Sequence, residues 1–168
     1  NHKSECFNVS YKFNSYGARD KERTLEGLGR TILIGDSFVE GYGVKSEDTI
    51  SNNLEILSGN EFLNFGTSGH FGSTQYRLLY ENLAKNFQPD KLIVFISVNN
   101  DFEDDSYDFG KIYHKNRYRP YLIENNNDYK IIYFDENKFN NKSISENKKI
   151  INFLNNFTYS YNLLRYFK

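Results

Sequence analysis

Three short polar and glycine-rich segments carry the residues of this sequence that could do chemistry. They are residues 35–41, which begin Gly35-Asp36-Ser37, residues 64–69 and residues 98–101. A serine on a tight turn exposes its hydroxyl as a nucleophile, a glycine lets a backbone N–H approach a ligand, and an asparagine amide donates a hydrogen bond. Together such groups suit acyl transfer, in which a nucleophile attacks a carbonyl carbon and donors stabilise the oxyanion.

Each segment also has a plain structural interpretation. Asp36 and Ser37 are common in turns and as helix caps. Residues 35–41 are not a Gly-x-Ser-x-Gly elbow, because Val39 stands where the second glycine would be. Nor are they a Walker A loop, which needs Gly-Lys-Ser/Thr. The order of the three segments, each after an apolar run, favours a shared function over three coincidences.

Apolar runs precede all three segments, and leucines at helical spacing lie between them. Short apolar runs bounded by glycine are typical of strands buried on both faces. Strands that alternate with helices predict an α/β fold with a parallel sheet, and ligands bind at the carboxyl ends of such strands. The predicted strands are 31–34, 62–65 and 92–96, and the predicted helices are 48–58, capped by Ser46 or Asp48, and one beginning at Ser73 or Thr74.

The remaining segments are assigned by the same criteria. Residues 1–29 are predicted to form an irregular N-terminal arm, and residues 101–119 are predicted to form a polar loop. Apolar runs on both sides of residues 125–128 predict an antiparallel hairpin with an Asn-rich turn. Residues 145–168 place apolar side chains at helical spacing, which predicts an amphipathic helix.

Composition excludes several classes of protein. The 168 residues are 38% hydrophobic and 17% aromatic, which is enough for the core of one domain and argues against disorder. The net charge of −1, with both signs mixed along the chain, does not provide the basic surface of a nucleic-acid-binding protein. The single cysteine, Cys6, excludes an internal disulfide. No apolar run approaches the ~20 residues of a membrane span.

With its three segments in this order, the sequence resembles the SGNH hydrolases, also called GDSL esterases and lipases. The resemblance rests on residues 32–37, 64–69 and 98–101, and it extends over about residues 17–105. The third segment departs from the family's Gly-x-Asn-Asp block at Val98, while its Asn-Asp pair is intact.

The resemblance implies a three-layer, flavodoxin-like parallel sheet and a serine esterase or acyltransferase that uses no cofactor and no metal. It implies that Ser37 is the nucleophile. The oxyanion donors would be the backbone N–H groups of Ser37 and Gly69 and the side-chain amide of Asn100. Three residues adjacent to these in the chain are expected to line the pocket: Asp36, His70 and Asp101.

A looser similarity indicates the substrate class. Residues 17–20 and 41–44 are similar to a bacterial subgroup often associated with cell-surface polysaccharides. This similarity implies a small acyl ester or an acylated carbohydrate as substrate, and it favours the bacterial cell envelope while leaving the cytoplasm open.

The family's catalytic histidine comes from a late Asp-x-x-His block, and this sequence contains no such block. Its histidines are His2, expected in the exposed arm, His70, expected as pocket wall rather than base, and His114, expected in a solvated loop. We therefore expect the complete protein to continue past Lys168 with that block. Residues 30–168 would then be the N-terminal part of the domain, with residues 102–145 as an insertion or cap.

Three functions follow from these observations. The leading hypothesis is an ester hydrolase or O-acyltransferase, and the alternative is a non-catalytic carbohydrate-binding or other ligand-binding domain on the same scaffold. A weaker hypothesis is a nucleotide-binding domain that uses the glycines near residue 35. The acidic run over residues 101–105 is interpreted as a solvated loop rather than a metal site, because its spacing is not that of a Ca²⁺ loop.

Overall fold

The computed structural model describes residues 2–4, 6–114, 119–126 and 128–133. The chain divides into two compact units, Asn1–Phe102 and Glu103–Lys168. The architecture is α/β, with a three-stranded parallel sheet flanked by helices and a small antiparallel hairpin. The predicted parallel α/β fold is confirmed at this level.

The N-terminal arm is irregular over most of its length, as predicted, but it contains a short ribbon. β1 (His2–Lys3) pairs antiparallel with β2 (Asn8–Val9). Farther along, the guanidinium of buried Arg19 lies 3.7 Å from the centroid of the Tyr11 ring. It also donates a hydrogen bond to the carbonyl oxygen of Glu40, 3.1 Å away. These contacts hold the arm against the segment that follows the first strand of the main sheet.

The main sheet consists of three parallel strands. β3 (Arg30–Gly35) is central, with β4 (Glu61–Gly66) on one side and β5 (Lys91–Val94) on the other. β3 is buried along its whole length, as its apolar run predicted. Because all three strands run in one direction, the loops that follow them leave from the same end of the sheet.

The third strand forms one edge of this sheet in the described part of the chain. Pairing with β3 ends at Val94, although the N–H of Phe95 still donates to the carbonyl oxygen of Ile34 at 2.8 Å. The predicted strand over 92–96 is thus shorter than expected. Its apolar side chains are 36–45% exposed, which leaves both faces of this edge accessible: Leu92, Ile93, Val94, Phe95 and Ile96.

Three helices connect these strands. α1 (Ser37–Glu40) and α2 (Ile50–Ser58) lie between β3 and β4 in the chain, and α3 (Ser73–Asn82) lies between β4 and β5. Two turns of 3-10 helix accompany them, Ser46–Asp48 before α2 and Ala84–Phe87 after α3. Both predicted helices are therefore confirmed, with α2 beginning two residues later than expected.

Neither of the predicted residues caps α2. The Thr49 hydroxyl accepts a hydrogen bond from the N–H of Asn52 at 3.4 Å, whereas Ser46 and Asp48 lie in the preceding 3-10 turn. The predicted apolar face is also only partly buried, because Leu57 is 83% exposed. The prediction named only Ser46 and Asp48 and missed Thr49, the residue that directly follows the 3-10 turn.

Replacing Thr49 with alanine is expected to lower the free energy of unfolding by about 1 kcal/mol, because the helix loses its side-chain cap. The matched control is Asp48→Ala, which removes an exposed side chain and should change that free energy by less than about 0.5 kcal/mol. Urea denaturation of both variants provides the comparison. A loss in Asp48→Ala with none in Thr49→Ala would instead place the cap at Asp48, one of the two residues that the sequence predicted.

Two short helices follow β5, where the sequence predicted a loop over 101–119. They are α4 (Asp101–Asp105) and α5 (Tyr107–Tyr113). The Ser106 side chain caps α5 by accepting a hydrogen bond from the N–H of Phe109 at 3.3 Å. The loop prediction was wrong over these residues because their two buried side chains, Asp101 and Asp104, are polar, so no apolar periodicity marked the helices.

β6 (Pro120–Asn125) and β7 (Asp128–Tyr133) form the predicted antiparallel hairpin. Asn126 in its turn has a positive φ of 49°, a conformation that asparagine tolerates. Among the residues that the structure describes, no helix is long and apolar enough to cross a membrane. The helix predicted over 145–168 lies outside the described residues.

Candidate active site

The three segments singled out in the sequence begin at neighbouring strand ends. Gly35 of β3 pairs with Gly66 of β4, and Ile34 pairs with Val94 of β5. The loops that continue from these positions therefore start side by side, at the carboxyl end of the sheet. They carry the three residues predicted to act in catalysis: Ser37, Gly69 and Asn100.

Ser37 is the first residue of α1 and follows the central strand almost directly. The carboxylate of Asp36 caps this helix by accepting a hydrogen bond from the N–H of Phe38 at 2.9 Å. Asp36 is buried, so the capping role that its residue type suggested is the one it takes. The Ser37 side chain is half-buried, and its hydroxyl makes no hydrogen bond within the described residues.

Two glycines allow α1 to lie directly against the sheet. A Cβ atom at Gly66 would overlap main-chain atoms of Val39 and Glu40, and it would lie 2.7 Å from the Cα atom of Glu40. A Cβ atom at Gly35 would lie 2.6 Å from Cγ2 of Val39. Because neither glycine has a side chain, the turn that carries Ser37 can approach the strand ends this closely.

The second segment turns after β4 through two residues with positive φ. The N–H of Thr67 first donates to the carbonyl oxygen of Gly35 at 2.9 Å, which ties the loop to the central strand. Gly69 then has φ 113° and His70 has φ 64°. Glycine adopts such angles without strain, whereas a non-glycine residue there is uncommon. The His70 side chain is exposed, and its expected place in the pocket wall stays a prediction.

A buried carboxylate organises the third segment. Asp101 is 1% exposed and accepts hydrogen bonds from the Tyr76 hydroxyl at 3.2 Å and the Ser97 N–H at 2.9 Å. It also accepts one from Nδ2 of Asn100 at 3.2 Å, while the Ser97 hydroxyl donates to Oδ1 of that asparagine at 2.8 Å. The Asn100 amide is therefore held at both ends, which is the preorganisation that an oxyanion donor needs.

Glu40 is a candidate that the sequence analysis did not select, although it lies in the first segment. It ends α1, one helical turn after Ser37, and its side chain is 5% exposed. Burial raises the pKa of its carboxyl above the ordinary value of 4.5, while hydrogen bonds from Ser68 and the charge of Arg19 act in the opposite direction. The sequence could have indicated Glu40, because it lies three residues after Ser37 and residues three apart share a face of a helix.

The second unit contains a polar cluster that the sequence analysis interpreted as solvent-exposed. Nε2 of His114 lies 3.3 Å from Oδ1 of Asp104, and the two side chains are 11% and 2% exposed. The Arg119 guanidinium donates to the carbonyl oxygen of Asp104 and to the Tyr121 hydroxyl, the latter at 2.8 Å. The prediction of His114 as a solvated loop residue is therefore wrong. So is that of a fully solvated acidic run, because Asp101 and Asp104 are both buried.

Comparisons with protein-family models, with curated proteins and with solved structures give no match to this chain. The function must therefore be inferred from the three segments and from their positions in the fold.

Proposed function

We propose that this protein is a serine ester hydrolase or O-acyltransferase of the SGNH type, acting on a small acyl ester or an acylated carbohydrate. The observation that carries the proposal is the common position of the three segments, at the carboxyl ends of three adjacent parallel strands. Ligands bind at this end of open α/β sheets. The strand order β4-β3-β5 is also the order in which the first strands of a flavodoxin-like sheet lie, which supports the finer fold assignment.

The chemistry would proceed in two steps. The Ser37 oxygen attacks the ester carbonyl carbon as its proton passes to a base, and the carbonyl oxygen becomes an oxyanion. The N–H groups of Ser37 and Gly69 and the amide of Asn100 stabilise that charge, and losing one such donor typically costs about 10²–10³ in turnover, or roughly 3–4 kcal/mol. The intermediate then expels the alcohol, which takes the proton, and leaves an acyl ester on Ser37.

The second step decides between hydrolysis and transfer. Water attacks the acyl-serine and releases the acid, or a hydroxyl of an acceptor sugar attacks it and carries the acyl group away. Both routes need a histidine as base, oriented by an acidic partner. The SGNH pattern takes that pair from an Asp-x-x-His block, which these 168 residues do not contain.

The proposal predicts that a fluorophosphonate probe modifies Ser37 in the full-length protein. The serine oxygen forms a bond to phosphorus, fluoride leaves, and the adduct is located by tandem mass spectrometry of proteolytic peptides. Ser37→Ala should abolish the adduct, whereas Ser46→Ala, which removes an exposed hydroxyl, should leave it intact. An adduct on a different serine would contradict the assignment of the nucleophile.

The alternative is a non-catalytic carbohydrate-binding domain on the same scaffold. Two observations favour it: the sequence lacks an Asp-x-x-His block, and the Ser37 hydroxyl has no hydrogen-bond partner in the described part of the chain. Isothermal titration calorimetry with an acetylated oligosaccharide separates the two functions. Equal affinity of wild type and Ser37→Ala, together with no fluorophosphonate adduct, would establish the binding domain.

A further inference from the structure

The guanidinium of Arg19 binds the end of the helix that carries Ser37. Its Nη1 atom donates hydrogen bonds to the carbonyl oxygens of Glu40, at 3.1 Å, and of Gly41. Its Nη2 atom donates to the carbonyl oxygen of Val44. Arg19 is 3% exposed, so these bonds form largely away from solvent, where a main-chain carbonyl without a partner is costly. One side chain of the N-terminal arm thus binds three carbonyl oxygens in and after α1.

The Tyr11 side chain completes this contact. The centroid of its ring lies 3.7 Å from Cζ of Arg19, which is a stacking distance. Its hydroxyl accepts a hydrogen bond from the N–H of Gly43 at 2.6 Å. A guanidinium that stacks on a ring and donates from two nitrogens at once meets requirements that a lysine ammonium does not. We call Arg19 and Tyr11 together the arm clamp.

The residue after Arg19 fixes the arm to the main sheet. The Asp20 carboxylate accepts a hydrogen bond from the N–H of Asn64 in β4 at 3.1 Å. It also accepts two from the guanidinium of Arg23, at 2.9 and 3.0 Å. Arg23 in turn donates to the carbonyl oxygen of Phe62 in the same strand at 3.1 Å. The arm clamp therefore connects α1 to β4.

α1 is a single helical turn, and two backbone hydrogen bonds close it. The N–H groups of Gly41 and Tyr42 both donate to the carbonyl oxygen of Ser37, at 3.0 and 2.8 Å. Gly41 has a positive φ of 85°, which ends the helix and redirects the chain. A helix of one turn is not stable by itself in water. The orientation of Ser37 therefore depends on contacts from outside the helix.

We propose that Arg19 is a positioning residue, which together with Tyr11 holds the end of α1 and so fixes Ser37 in the orientation from which it attacks the substrate. The catalytic meaning of the arm clamp rests on the proposed serine hydrolase function, whereas the clamp itself does not. An apolar side chain would fill this space without burying a charge, so packing alone does not account for the arginine. Through Arg19, residues 17–20 contact residues 41–44, the two stretches with the looser family similarity.

The arm clamp is tested without an activity assay by hydrogen exchange of backbone amides in the full-length protein. Arg19→Lys keeps the positive charge but loses the two-nitrogen fork. The amides of Gly41 and Tyr42 should exchange at least about tenfold faster in this variant, because the turn opens locally more often. The amide of Gly59 is the matched reference, since it closes α2 in the same way, by donating to the carbonyl oxygen of Glu55 at 2.9 Å.

The pattern of exchange separates positioning from a general loss of stability. Equal acceleration at Gly41, Tyr42 and Gly59 would mean that Arg19→Lys only lowers global stability, and it would overturn the positioning role. Unchanged exchange at all three amides would show that the clamp does not hold the turn. Arg77→Lys makes the same change at an exposed arginine, and it should leave the three exchange rates as they are.

A second variant keeps the proposal falsifiable if Arg19→Lys does not fold. Tyr11→Phe retains the ring that stacks on Arg19 and removes only the hydroxyl that accepts the hydrogen bond of Gly43. The amide of Gly43 should exchange faster, and kcat should fall about threefold, which is the effect of one weak hydrogen bond. If neither the exchange at Gly43 nor kcat changes, the proposal is wrong.

The kinetic result distinguishes failure of the clamp from failure of the proposed function. Arg19→Lys is expected to lower kcat for an activated acetyl ester about tenfold with little change in KM, because a displaced nucleophile weakens transition-state binding more than substrate binding. Unchanged kcat, with turnover still dependent on Ser37, would reject the positioning role and leave the hydrolase intact. Selective exchange at Gly41 and Tyr42, in a protein whose turnover Ser37→Ala does not affect, would reject the hydrolase and leave the clamp.

Discussion

Ser37→Ala in the full-length protein is expected to reduce turnover of an activated acetyl ester by roughly 10⁴-fold or more. In the proposed mechanism, the alanine retains the backbone N–H that would face the oxyanion but removes the oxygen that would form the covalent bond. An activated ester such as p-nitrophenyl acetate reports the acylation step directly through release of the phenolate. The residual rate would come from the oxyanion donors and substrate binding alone.

The structure allows this variant to be interpreted cleanly. The Ser37 hydroxyl makes no hydrogen bond within the described residues, so its removal should change the free energy of unfolding by less than about 0.5 kcal/mol. Ser46→Ala is the matched control, with unchanged turnover and unchanged stability. Full activity of Ser37→Ala would reject Ser37 as nucleophile, whatever the stability data show.

The strands were predictable because they carry their own signal. β3, β4 and the start of β5 are apolar runs that end at glycine or at a polar segment, and their short length favours strands over helices. The hairpin was predictable for a similar reason, since its Asn-rich turn lies between two runs of β-forming residues. The relative order of the three parallel strands does not follow from these local patterns, and it is the structure that places them side by side.

The helices after β5 were missed because their burial depends on distant partners. Asp101 is buried where the Tyr76 hydroxyl and the Ser97 N–H satisfy its carboxylate. Asp104 is likewise buried against His114 and Arg119. An aspartate without a visible partner is predicted to be exposed, and sequence spacing alone does not reveal partners that only the fold supplies.

The residues of the candidate site also fall into two groups, those that sequence patterns indicate and those that only the fold reveals. Ser37, Gly69 and Asn100 could be selected because each lies directly after a predicted strand, in a segment with a recognisable pattern. Glu40 could not be selected with the same ease, because its burial depends on the packing of its helix against Gly66 of another strand. Local motifs identify groups that react, whereas the groups that position them become visible only when the segments are brought together.

Gly66→Ala is expected to have the second large effect, a loss of about 3 kcal/mol or more in the free energy of unfolding together with loss of turnover. The added Cβ atom would overlap main-chain atoms of Val39 and Glu40, and main chain cannot rotate away as a flexible side chain can. The helix that carries Ser37 must therefore move off the sheet or the strand must bend. Either change would separate Ser37 from the proposed oxyanion donors.

A second glycine variant separates this steric effect from a general intolerance of alanine. Gly59 has a positive φ of 71° but open space around its Cβ position, so Gly59→Ala should cost only the conformational strain of about 1 kcal/mol and leave turnover unchanged. Urea denaturation and the p-nitrophenyl acetate assay are applied to both variants. If Gly66→Ala were no more destabilised than Gly59→Ala and remained active, the close packing of α1 on β4 would not be what holds Ser37 in place.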